Sequence, residues 1–164
     1  MRRLQAWKPA ALSPAPLDDL FGRPLQDLDF ARLCVAGALL RAGDWDSAHR
    51  ISQEIETSSG SYWHGLVHRA EPDYDNAKYW FRRVGQHPIF PRLCQAARAA
   101  AAAHPDRAID FLRRQTAWDP FQFLDWAAMV DGERSDSETL CKTIQRQEWE
   151  FLFDYCFRQA VDEA

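Results

Sequence analysis

Four of the five histidines fall in one stretch of the chain: His49, His64, His68 and His87. His64 and His68 stand four residues apart, so on a helix both imidazoles leave the same face. Neutral imidazoles at that spacing can bind a transition metal, with a third ligand from His49, Glu71 or His87. The metal reading therefore rests on His64, His68 and His49 with a divalent transition metal as cofactor. Gly65 follows the first histidine where the zinc-protease pattern H-E-x-x-H carries its general base, and that chemistry is excluded. The structural alternative is a pair of hydrogen-bonded histidines in a polar core.

Cations and hydrogen-bonding groups accompany the histidines: Arg50, Arg69, Lys78, Arg82 and Arg83, with Ser52, Gln53 and Glu71. Arginine clamps carboxylate or phosphate, and histidine moves protons near neutral pH. The set His49, Arg50, Ser52, Gln53, His64, His68, Arg69, Glu71, Lys78 and Arg82 thus outlines a pocket for a small polar or anionic ligand. An enzyme, metal- or histidine-assisted and acting on a small anionic or hydroxylated substrate, is the alternative. A third reading is a scaffold that binds a protein or peptide through Trp63, Trp80, Tyr62 and Tyr79, although aromatics at helical spacing more often fill a core.

These residues need helices to position them, and helical signals run almost without a break. Leu25–Ala42 has apolar residues at helical spacing and stops at Gly43. Asp44 can cap a second helix reaching about Thr57, and the run 57–60 interrupts it. Ser61 can cap a third, ending before Pro72; Asp73 can cap a fourth, ending near Gly85. Pro88–Ala103 is Ala-rich, Pro105 suits the first turn of a sixth helix, and Phe121–Val130 reads as a seventh before Gly132. Ser135 and Glu138 form a capping-box pattern opening the last helix, to about Ala160. No sustained alternation or hairpin signal points to strands. Residues 1–24, with prolines at 9, 14, 16 and 24, read as an irregular arm able to pack back through Trp7 and Phe21.

An internal repeat underlies the pattern. Gly43-Asp-Trp45 leads to Ala48, Pro72-Asp-Tyr74 to Ala77, and Ala103-His-Pro105 to Ala108. The middle unit, with Gly65, Tyr74, Ala77, Phe81 and Pro88, resembles the tetratricopeptide or Sel1-like repeat; the third keeps Ala96, Ala108, Leu112 and Pro120. The resemblance covers roughly residues 30–122. Residues 60–89 also resemble the signature of a bacterial protein family to which no activity is attached. The repeat resemblance implies an all-α fold, a right-handed stack of antiparallel helix hairpins (an α-solenoid) of about seven or eight helices. The hairpins would span about 25–118 and a C-terminal helix pair about 121–160, in a single helical domain over 25–164. In such repeats the positions of His64 and His68 are usually apolar, and Ser52 stands where a packed aromatic is usual. Polar groups at packed positions require partners or a function.

Composition narrows the classes. The chain has 164 residues with 20 basic and 24 acidic side chains, net −4, which argues against a nucleic-acid partner. The last quarter, 119–164, is acidic, with 4 basic against 11 acidic residues. No apolar run is long enough for a membrane helix, and the first twenty residues lack the apolar core of a signal peptide. Cys34, Cys94, Cys141 and Cys156 form no C-x-x-C pair and read as reduced thiols in a cytoplasmic protein. No phosphate-binding loop or nucleophile elbow occurs.

Overall fold

The first long helix begins where its cap sits. In a computed structural model that describes residues 19–161, the Asp27 carboxylate accepts from the amides of Asp29 and Phe30, and α1 runs Leu28–Ala42. It ends at Gly43, whose φ of 84° is the left-handed conformation that closes a helix C-terminus. α2 (Trp45–Gln53) follows, capped by Asp44 through the Ser47 amide; α3 (Ser58–Ala70) is capped by Thr57, and α4 (Tyr74–Val84) by Asp73 through the Asn76 amide. Asp44 and Asp73 have nearly the same backbone angles, −89°/73° and −93°/72°, so α2 and α4 start alike. α2 stops short of Thr57, and α3 starts three residues before Ser61, because the Thr57 hydroxyl accepts from the Gly60 amide and supplies the cap one turn earlier.

The third unit departs from the first two. α5 spans Phe90–Ala101, but after Pro105 the chain forms a 3-10 turn (Arg107–Ile109) and the short α6 (Asp110–Arg114). Ala48 and Ala77 are fully buried, whereas Ala108 is exposed and Ile109 takes the buried position. α7 is Pro120–Val130, and α8 is the 26-residue helix Asp136–Val161. Ser135 caps α8 through the Glu138 amide, and the Glu138 side chain turns back to accept from Gly132 and Arg134. Among the described residues there is no strand.

α3 is the centre of the core: Ser59 to Arg69 are all buried. α8 packs against α1, α5 and α7 and reaches α3 through Trp63, whose indole N–H donates to Cys156 Sγ at 3.4 Å. The Gln26 amide bonds to the Ala160 carbonyl at 2.8 Å, tying the start of the domain to its end, and Phe21 stacks on Phe157. Trp7 lies outside the described residues.

One glycine sets the approach of α1 to α3. A Cβ on Gly37 would sit 2.5 Å from the Trp63 ring, which is fully buried and braced edge-on by Trp149. Gly37→Ala gains roughly 1 kcal/mol of helix propensity, but overpacking of a fixed ring costs about 1–3 kcal/mol. The clash wins, and the variant should show a lower urea midpoint; an unchanged or higher midpoint would mean that Trp63 yields.

Candidate metal centre

His49 comes from α2 and His64 and His68 from α3, and their rings meet where these helices pack. Their ligand atoms lie within 4.8 Å of one another. His64 Nε2 and His49 Nε2 are 2.8 Å apart, so one ring donates and the other accepts in the neutral pair. The rings of His64 and His68 stack at 4.8 Å, as the four-residue spacing requires. His64 and His68 are buried and His49 is half-buried.

Neighbouring groups orient the rings. Trp80 of α4 stacks on His64 with ring centroids 3.8 Å apart. It reaches that position because α4 crosses α3 at Gly65, where a Cβ would meet the Phe81 ring at 2.9 Å. His68 Nδ1 faces the Glu71 carboxylate at 3.4 Å, Asp73 at 3.8 Å and the Asn76 amide at 3.4 Å. The two carboxylates favour a proton on Nδ1, which leaves Nε2 available, the arrangement by which metal-binding histidines are oriented; the Asn76 amide N–H can donate to Nδ1 only in the other tautomer. His64 Nδ1 is buried with no hydrogen-bond partner, so this ring lacks the acceptor His68 has.

Electrostatics favour the neutral form of His64 and His68, as metal binding requires. Burial, then repulsion from His49 and His68, pulls His64 down to about 3. Burial and His49 lower His68 as well, against the pull of Glu71 and Asp73.

His87 does not join the cluster. It is buried beside Tyr62, Phe90 and Tyr155, with Nε2 3.0 Å from Ser59 Oγ and Nδ1 accepting from the Ile89 amide. With Nδ1 accepting, Nε2 carries the proton and donates to Ser59, so this ring cannot activate the hydroxyl as a nucleophile. Burial pulls His87 down to about 4. A histidine held below its unfolded value loses folding stability as pH falls from about 6.5 toward the folded value, since only the unfolded chain takes up the proton. Urea midpoints should therefore drop between pH 7 and pH 4, with a shallower slope in His87→Gln; an equal slope would show that His87 does not contribute.

The cations expected around the histidines are distributed elsewhere. Arg69 follows His68 but lies on another face of α3, where its Nη2 donates to Glu148 Oε2 at 2.5 Å and its guanidinium covers the Phe123 ring. Arg50 donates to Ser47, Lys78 pairs with Asp125 of α7, and Arg82 and Gln53 are exposed. Ser52 is buried with its hydroxyl satisfied by the Ala48 carbonyl, which accounts for a small polar residue at a packed position. Of the sequence-selected residues, the structure brings together His49, His64, His68 and Glu71. Sequence reasoning missed Trp80 as a wall of the site and Asp73 as a neighbour of His68, since Asp73 already has a role as a helix cap.

The cysteines are all free and buried, and burial raises every thiol, Cys141 to about 11 and Cys156 to about 12, so none is a ready nucleophile. No helix among the described residues is long and apolar enough to cross a membrane. Compared with protein-family models, curated proteins and solved structures, the chain matches none of them.

Proposed function

We propose that this is a helical-repeat protein that binds a divalent transition metal through His49, His64 and His68. The observation that carries this reading is the convergence of three imidazole ligand atoms, from two helices, within 4.8 Å. Nitrogen ligands of this type suit zinc, copper or nickel better than magnesium or calcium. The Glu71 and Asp73 carboxylates beside His68 support the reading, because such partners raise the basicity of a ligating imidazole. The matching Asp44 and Asp73 caps support antiparallel hairpins of tetratricopeptide type in the first two units. The four free thiols fit a reducing compartment such as the cytoplasm.

A second reading follows from the ligand count. Three protein ligands leave a position for water or substrate, as in catalytic zinc sites, where the bound water becomes a nucleophile near neutral pH. Trp80, stacked on His64, would wall that position.

Elemental analysis of untagged protein, followed by competition of the stripped protein with a chelator for zinc, tests the proposal. The expected result is one metal per chain, saturable at micromolar or tighter dissociation constant. Protein that purifies without metal and takes up none from zinc, nickel or copper overturns it.

A further inference from the structure

Arg69 carries an unmet demand on the other side of α3. Its side chain is 7% exposed, its Nη2 is committed to Glu148, and its Nη1 is buried with no protein acceptor. A guanidinium has five N–H donors, and an unmet buried donor calls for a partner. Beside it lies a cavity of about 160 Å³ between the ends of α3, α4, α7 and α8, lined in part by Arg69, Tyr74, Asp131, Glu138, Lys142 and Gln145.

The charges around this cavity select a ligand type. Arg69 is neutralised by Glu148, and Lys142 bonds to Glu138 at 2.7 Å. Asp131 remains, beside the Tyr74 phenol, and burial together with that carboxylate raises the phenol's pKa. The site is therefore one negative charge in excess. A phosphate dianion would add to the excess and is disfavoured. A ligand carrying both an acceptor for Arg69 and a cation for Asp131 satisfies both groups. The volume corresponds to a few waters at about 30 Å³ each, which limits the ligand to a compact molecule.

The geometry points to a binding site for a small zwitterion of the α-amino-acid class, its carboxylate on Arg69 Nη1 and its ammonium toward Asp131. The site is independent of the histidine cluster, and nothing in it requires a metal.

Calorimetric titration of the full chain in the presence of EDTA tests this without interference from metal chelation by the ligand. The probes are glycine, L-alanine, L-serine and L-glutamine, with acetate, methylammonium and inorganic phosphate as single-charge controls. The expected result is saturable binding of at least one amino acid. Acetate and methylammonium should bind at least about tenfold more weakly, and Asp131→Asn should weaken the amino acid by a similar factor. Asp131 is exposed and its replacement leaves the Arg69–Glu148 pair intact, so the variant should fold; far-UV circular dichroism checks this. Binding of none of the amino acids, phosphate as the preferred probe, or amino-acid binding unaffected in the folded variant would each overturn the proposal.

Discussion

The Glu148→Ala variant should be less stable than the parent by about 3–5 kcal/mol, the usual loss when one partner of a buried ion pair is removed. Glu148 is fully buried midway along α8 and satisfies two groups of α3: the Tyr62 hydroxyl donates to Oε1 at 2.8 Å, and Arg69 Nη2 donates to Oε2. Removing the carboxylate leaves a guanidinium uncompensated and a phenol unbonded, both out of water. The Arg69 charge is fixed across the accessible pH range, so it cannot escape the penalty by deprotonating. Tyr62 does not readily relieve it by ionising, because burial, the largest cause of its raised pKa, remains when the carboxylate is removed. Replacing both partners, Arg69→Met with Glu148→Leu, removes the charges together and should cost less than Glu148→Ala alone. Urea denaturation followed by tryptophan fluorescence measures all of these. A loss under about 1 kcal/mol for Glu148→Ala would mean that water reaches the pair.

The second large effect concerns the histidines. His64→Ala with His68→Ala removes two of three ligands and should weaken zinc binding by about a thousandfold or more. His49→Ala should be similarly severe, because His49 is the ligand from the second helix. Glu71→Ala should be milder, about 10–100-fold, since Glu71 acts through the His68 ring. That gradation separates a metal centre from chance proximity of imidazoles. If Glu71→Ala matched the histidine variants, Glu71 would itself be a ligand; if the double histidine variant bound zinc as the parent does, the site would lie elsewhere. Trp80, stacked on His64, offers a direct readout: nickel or copper binding should quench its fluorescence in the parent and leave the His64→Ala/His68→Ala variant unchanged.

Much of this was legible locally. Asp44, Asp73 and the Ser135–Glu138 pair mark helix starts through bonds to amides three to six residues away, and Gly43 ends α1 with its own amide donating to carbonyls of the last turn. The pairing of His64 with His68 follows from helical pitch alone. The third repeat unit was less legible: Pro105 suggests a helix start, yet a 3-10 turn forms and register shifts from Ala108 to Ile109, because burial of the larger side chain prevails over the repeat pattern.

What the sequence by itself determined is the helical character of the chain, the caps at Asp44, Asp73 and Ser135, and the two imidazoles sharing a face of α3. Only the tertiary structure decided that His49 completes the cluster while His87 and Arg69 do not. The cause is how the helices cross. The positions of Gly37 against Trp63 and Gly65 against Phe81 set those crossings. Arg69 lies one residue from His68 but about 100° around the helix, so it faces α8 and meets Glu148, 79 residues away. Spacing along one helix is a local property; convergence between helices depends on which side chains let their backbones approach.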